Sequence, residues 1–342
     1  MKKKIMIVVY GGFLRGMGHV VRMKRLANQL LQEGNDISFY TNEQICVEML
    51  SGPDWHVHLV QESKAFLQME QDIKELNPDL LLIDVLDCDL QFLRLLKASS
   101  GSARLVLFEE IRAEACQLAD AVVNGIYGGL DEKHMQVDGT EYFYGTPYLL
   151  LDQEISRLKN TYEVRKECKK VVISLGGSDP RGLLSKAVSA LLEADHLHIL
   201  AVTGKASRIE EQIEAEHIQF IRHTDQLPAR LSEADLAIVA GGMTLYEAVC
   251  IGVPSIVLSQ VDHQAVTAAR FAQKGACRHL GLGELVDEKD IRCAVERLSG
   301  SYFLRRSIHL NGRTLIDGKG TERVKNILIH LMNHHQKEHK DV

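Results

Sequence analysis

The sequence has no C-x-x-C pair, no uninterrupted apolar run of 18 residues, no repeat of fixed period, no low-complexity tract and no excess of positive charge. Each absence removes a class of protein. Seven scattered cysteines (Cys46, Cys88, Cys116, Cys168, Cys250, Cys277 and Cys293) without paired spacing argue against a zinc site or a disulfide frame, and for reduced thiols in the cytoplasm. Apolar runs this short do not span a bilayer, so no transmembrane segment is expected. A net charge of −6 disfavours a nucleic-acid binder, which needs a basic face against phosphate. The opening MKKKIMIVVYGG has the basic-then-apolar order of a signal peptide. Its apolar run is brief and ends in Gly-Gly, so a first β-strand is the expectation.

What remains is a chain of 342 residues, 45% hydrophobic and 25% charged, the balance of a globular protein with two domains. Short Val/Ile/Leu runs alternate with helical periodicity, the signature of a parallel α/β sheet. Strands are expected at 4–10, 36–41, 80–85, 104–109 and 120–124, with helices at 19–33, 64–76 and 87–98. The pattern pauses in a charged stretch near 150–168, then restarts with strands at 170–177, 197–204, 218–223, 235–242 and 254–260. Two Rossmann-like domains are therefore expected, residues 1–155 and 165–342, with a cleft between them. The second is expected to include a final helix near 320–336. The tail carrying His334 and His335 reads most simply as a solvated end.

Three glycine-bearing turns stand at expected strand ends. In RGMGHVVR, Gly16 and Gly18 supply two positions of a dinucleotide fingerprint, but Val21 occupies the third, so a dinucleotide site is not expected. The turn still exposes backbone N–H groups at a helix start, which attract anions. His19 falls in that first turn. It either packs there or serves as a general base, since the helix dipole disfavours imidazolium. In SLGGSDPRG, Gly176-Gly177 precede a helix with Ser178 or Asp179 as N-cap and Pro180 as the first helical residue. That is either a well-formed helix start or a phosphate-facing loop. In AGGMTLYEA, Gly241-Gly242 precede Thr244-x-x-Glu247, which reads as a capping box; Glu247 is also suited to a bidentate grip on vicinal ribose hydroxyls. Gln260, Asp262, His263 and Gln264 cluster after the next strand, where α/β proteins place ligands.

These segments resemble the GT-B superfamily of nucleotide-sugar enzymes. The Glu247 stretch resembles the UDP-binding motif of MurG-type glycosyltransferases. GMGHVVR, SLGGSDP, GGMTLYEA, GVPSIV, HQAVTAARFAQKG and DGKGTERV together resemble the family that joins spore-coat polysaccharide biosynthesis proteins of the SpsG type with the UDP-sugar hydrolases of the PseG type. The resemblance implies a catalytic histidine at His19 and a phosphate loop at Gly176, Gly177 and Ser178. It implies a UDP loop at Gly242, Met243 and Thr244, with Glu247 on the ribose, and a sugar-side pair at His263 and Gln264. Further substrate contacts are expected at Gly16, Gly18, Arg22, Asp84, Asn124 and Arg222, with uracil against the backbone near Arg222-His223. Two departures stand out: Val85-Leu86 follow Asp84 where the hydrolases carry His-Tyr, and YGGFLR replaces an Arg-x-Asp element.

The implied reaction is release of UDP from a UDP-sugar in surface or spore-coat polysaccharide biosynthesis. His19 would deprotonate the attacking hydroxyl. Without an Asp-x-Asp motif suited to a metal-bridged diphosphate, no metal or cofactor is expected. A glycosyltransferase using a sugar or lipid-linked acceptor, a non-catalytic nucleotide-sugar-binding subunit and a 2-epimerase are the alternatives.

Overall fold

Runs such as KIMIVV and LLLID are apolar at consecutive positions, as strands covered on both faces must be. The computed structural model describes residues 2–128, 139–177, 179–204, 215–222, 224 and 226–338, with the backbone alone for 334–338. Ser178, His223 and the side chains of His334 and His335 therefore lie outside the described residues. The chain divides into two units, Met1–Leu151 with Lys319–Val342, and Asp152–Gly318.

The first unit runs β1 (Lys4–Val9), α1 (Gly18–Gln32), β2 (Asp36–Thr41), α2 (Gln44–Leu50), β3 (His56–Leu59), α3 (Ala65–Leu76), β4 (Leu80–Asp84), α4 (Leu90–Ser99), β5 (Arg104–Phe108), α5 (Ala113–Cys116), β6 (Ala121–Asn124) and β7 (Glu141–Tyr144). Its strands are all parallel and ordered β3-β2-β1-β4-β5-β6-β7. Alternate residues serve opposite faces. Ile5, Ile7 and Val9 pack with Val20, Met23 and Leu26 of α1, while Met6 and Val8 pack with Met69 of α3 and Leu93 of α4.

The second unit runs α6 (Gln153–Thr161), β8 (Lys170–Ser174), α7 (Leu183–Ser189), β9 (His198–Thr203), β10 (Ile218–Arg222), α8 (Leu227–Glu233), β11 (Leu236–Val239), α9 (Met243–Ile251), β12 (Ser255–Ser259), α10 (Asp262–Gln273), β13 (Arg278–Leu282), α11 (Glu288–Ser299) and α12 (Tyr302–Arg313). Its parallel sheet is ordered β10-β9-β8-β11-β12-β13. Val171, Ile173 and Leu175 bury one face against Leu184 and Val188 of α7 and Ile291 and Val295 of α11. Among the described residues, no helix is long and apolar enough to cross a membrane.

One expectation needs correction. The last helix, α13 (Gly320–Glu338), was assigned to the second domain, but it packs in the first unit. Val324, Leu328 and Leu331 form an i, i+4, i+7 stripe in the same core as Val20 and Leu26. The stripe is visible in the sequence; the surface it covers is not. Two glycines of DGKGTERV mark the return of the chain. A Cβ on Gly318 would lie 2.9 Å from Ser156 Oγ, and one on Gly320 would lie 2.1 Å from the Leu149 carbonyl oxygen. Strands β3, β7 and β13 were not expected. They are edge strands with few buried positions, so their sequences lack the apolar run that marks their neighbours.

Candidate active site

In the first sheet β1 lies between β2 and β4, and Val9 pairs with Asp84. The connections after β1 and β4 leave toward opposite faces there, which opens a crevice at the carboxyl ends of these strands. The loop after β1 closes on itself: Gly12 N–H donates to Gly16 O (3.1 Å) and Gly16 N–H to Gly12 O (2.8 Å). At φ +80°, Gly16 holds a conformation that side-chain-bearing residues rarely adopt. Close packing of helix on strand, the task of a third fingerprint glycine, falls to the strand side instead. A Cβ on Gly11 would lie 2.6 Å from Val20. Gly18 opens α1, whose first turn receives no side-chain cap.

His19 is the second residue of α1, and its Nδ1 lies 2.6 Å from Asp84 Oδ1. Asp84 ends β4 and is fully buried. One turn after His19, Arg22 grips the same carboxylate with Nε on Oδ2 (2.7 Å) and Nη2 on Oδ1 (2.5 Å). Arg22 Nη1 donates to Glu109, the residue after β5. Burial acts to raise the Asp84 pKa, but the charges of Arg22 and His19 and the hydrogen bonds from both hold the carboxyl well below its usual range. Burial likewise opposes charge on Arg22, and the two carboxylates reverse that effect and raise its pKa. A buried ion network of this kind persists only when every member is partnered. Arg22 Nη2 also lies 2.9 Å from His19 Nδ1. With the hydrogen on Nδ1 donated to the anionic Asp84, His19 Nε2 is a proton acceptor. Asn124 ends β6 at the same carboxyl edge, and its Oδ1 accepts the Ile126 N–H at 3.0 Å.

The second sheet repeats the arrangement. β8 lies between β9 and β11, with Val239 opposite Ser174. Gly176 (φ +105°) and Gly177 follow β8, Gly241 and Gly242 follow β11, and Gln260 follows β12. Gln260 joins two of these loops: its Nε2 donates to Asp179 Oδ1 (2.7 Å) and Leu175 O (3.2 Å), and its N–H donates to Gln264 Oε1 (3.1 Å). A Cβ on Gly204, just past β9, would lie 2.3 Å from the Gly177 carbonyl oxygen. A Cβ on Gly241 would lie 2.7 Å from the Gln264 carbonyl oxygen. These glycines let the segments after β8, β9, β11 and β12 converge at the carboxyl edge.

Two capping assignments are corrected. Helix α9 starts from Gly242, with Met243 first and Thr244 second, and no side chain caps it; Thr244 lies too far into the helix to form the box. Helix α7 begins at Leu183 rather than Pro180, because Gly182 at φ +63° turns the chain first. Asp179 still receives its leading amides, Leu183 N–H at 3.0 Å and Leu184 N–H at 2.8 Å. Glu247 is the fifth residue of α9, in a helix buried from Thr244 through Ile251. Glu247 is 3% exposed; burial above all, then the charge of Asp317 and last that of Glu247, raises the Cys250 pKa to about 12. Arg222 ends β10 and His263 is exposed in the first turn of α10.

The site residues therefore fall in two groups, Gly16, Gly18, His19, Arg22, Asp84 and Asn124 in the first unit, and Gly176, Gly177, Arg222, Gly242, Met243, Thr244, Glu247, His263 and Gln264 in the second. Sequence reading missed Glu109, Gly204 and the bridging role of Gln260. Glu109 is one of two adjacent acids in FEEIR, and nothing local distinguishes it. The glycine ending AVTG was the available signal for Gly204.

Residues 171–296 match the glycosyltransferase family 28 C-terminal domain. The spore coat polysaccharide biosynthesis protein SpsG of Bacillus subtilis (strain 168) is 40% identical over 326 residues, covering 93% of this chain and 95% of that protein. A UDP-N-acetylglucosamine--N-acetylmuramyl-(pentapeptide) pyrophosphoryl-undecaprenol N-acetylglucosamine transferase of Chromobacterium violaceum is 32% identical over 123 residues, 33% of this chain and 34% of that one. Among solved structures, MurG of Acinetobacter baumannii aligns at a TM-score of 0.68 and 15% identity, over 96% of this chain and 100% of that one.

Proposed function

Because the chain belongs to the family of the spore coat polysaccharide biosynthesis protein SpsG and has the GT-B fold, we propose that it cleaves a UDP-sugar at the anomeric carbon, with His19 as general base, in polysaccharide biosynthesis. The observation that carries this reading is the His19 Nδ1–Asp84 Oδ1 contact at 2.6 Å. A carboxylate on Nδ1 orients the ring and stabilises the imidazolium formed as Nε2 takes a proton. In the reaction, Nε2 removes the proton of an attacking water as its oxygen bonds to the anomeric carbon. The bond from that carbon to the diphosphate oxygen breaks, and its electron pair leaves with UDP.

UDP is assigned to the second unit. The diphosphate meets the glycine loops at Gly176-Gly177 and the start of α9 at Gly242-Met243-Thr244, which has no side-chain cap among the described residues and where backbone amides and the helix dipole favour an anion. Glu247 takes the ribose hydroxyls. Uracil lies against the backbone near Arg222, and His263 and Gln264 face the sugar. No metal ion or cofactor is invoked.

A glycosyltransferase differs only in the source of the attacking hydroxyl. The match of residues 171–296 to a glycosyltransferase domain favours that second reading. Mass spectrometry of a UDP-sugar panel, with and without a sugar or lipid-linked acceptor, separates them. Free sugar and UDP without acceptor support hydrolysis; turnover only with acceptor supports transfer; UDP binding with no turnover in either arm overturns both.

A further inference from the structure

Helix α12 buries Arg305, His309 and Gly312 along one side. The opposite side faces water and is nevertheless apolar. It carries Phe303 (80% exposed) and Leu310 (52%), with Leu304 (37%) at one flank. Phe303 and Leu310 are seven residues apart, and the exposed Ser307 lies between them, so they share one face. Tyr302 meets Phe303 edge-on, with ring centroids 5.8 Å apart.

Charge along the segments around this face has one sign. Residues 263–283 and 297–316 hold seven Lys or Arg and no Asp or Glu, in a chain whose net charge is −6. Arg306 is exposed three residues after Phe303 and four before Leu310, which sets it along one flank. On the other flank Asn311 Nδ2 donates to Gly275 O at 3.3 Å, which brings the exposed Lys274 at the end of α10 beside the helix. Arg297 is exposed at the end of α11, where Arg305 joins that helix to α12 through the carbonyls of Leu298 and Ser299. Lys274, Arg297 and Arg306 form no ion pair among the described residues.

We propose that this face of α12 docks on the surface of an anionic lipid bilayer. Phe303 and Leu310 enter the boundary between headgroups and acyl chains, and Lys274, Arg297 and Arg306 meet lipid phosphates. An apolar stripe bordered by cations is what a helix lying in a membrane interface presents. Among the described residues no helix is long and apolar enough to cross the bilayer, so the attachment is to its surface. A second copy of the chain fits this face less well. Two-fold pairing would set Arg306 near its own mate, with no acid in the flanking segments to offset the repulsion. None of these residues belongs to the groups assigned to catalysis or to UDP, so the docking surface stands apart from that reading.

Flotation of the full chain with vesicles tests it, using phosphatidylcholine alone and phosphatidylcholine mixed with phosphatidylglycerol. The wild type is expected to bind the mixed vesicles, to bind phosphatidylcholine alone weakly, and to come off as salt rises. The double variant Phe303→Ser with Leu310→Ser should weaken binding by about 10-fold or more, and Arg306→Glu should do the same. Leu67→Ser removes another exposed leucine (69%), on α3 of the first unit, and should bind as the wild type does. All four positions are exposed, and circular dichroism checks that each variant is folded. A wild type that binds no vesicles, binding indifferent to phosphatidylglycerol, or a folded double variant that binds like the wild type overturns the proposal. A dimer in sedimentation velocity that the double variant dissociates also overturns it, and assigns the face to a second copy.

Discussion

His19 and Asp84 are 65 positions apart in the chain and 2.6 Å apart across the switch point of the first sheet. The strand order makes this pairing. β1 and β4 are neighbours although two strands and three helices separate them in sequence, so a residue opening α1 meets the residue closing β4.

Replacing Asp84 with asparagine keeps the shape and removes the charge. Imidazole orientation and the imidazolium partner are lost together, and kcat is expected to fall on the order of 100-fold or more. Stability also falls, by roughly 3 kcal/mol, because the buried Arg22 loses its one fully buried carboxylate partner and keeps only the half-buried Glu109. Steady-state kinetics and urea unfolding measure the two effects.

The same carboxylate predicts a pH dependence. The folded-state pKa of Asp84 is depressed, so its contribution is fully present above the unfolded value of about 3.9. That contribution is lost as pH falls from there toward the folded-state pKa. Between pH 5 and pH 2 the wild type should therefore lose more stability than Asp84→Asn, and thermal unfolding across that range shows whether it does.

In the second unit, Gly204→Ala tests how the glycine loop is held. The added methyl meets the Gly177 carbonyl, and backbone rather than a flexible side chain must shift. UDP affinity by calorimetry should fall by about 10-fold or more, since a displaced amide no longer meets the phosphate. An unchanged Kd would separate that loop from the nucleotide.

Arg305 is fully buried in α12 and donates to four carbonyls, Leu298 and Ser299 at 2.8 and 2.7 Å and Arg165 and Lys166 at 2.9 Å each. It ties the segment before β8 to the end of α11. Arg305→Met should cost about 2–4 kcal/mol in urea unfolding, because buried carbonyls lose their donors. Hydrogen exchange should localise the loss to the second unit.

Much of this architecture was legible, for a physical reason. Strands covered on both faces need unbroken apolar runs, and β1, β4, β8 and β11 show them. Edge strands do not, so HVHL, EYFY and RHLGL passed unnoticed. The glycine turns and His19 stood out because their spacing is local. The acid that meets Arg22 did not: 87 positions separate Glu109 from it, and only the order of strands brings them together. Capping went wrong at Thr244 and Pro180 because helix starts depend on the turn before them, and Gly242 and Gly182 set those turns.

The most direct test compares UDP release from a UDP-sugar panel by the wild type and by His19→Ala, whose fold is checked by circular dichroism. The account predicts turnover by the wild type, a loss on the order of 100-fold or more in the variant, and UDP binding by calorimetry unchanged between them. A folded His19→Ala protein that releases UDP at the wild-type rate would contradict it.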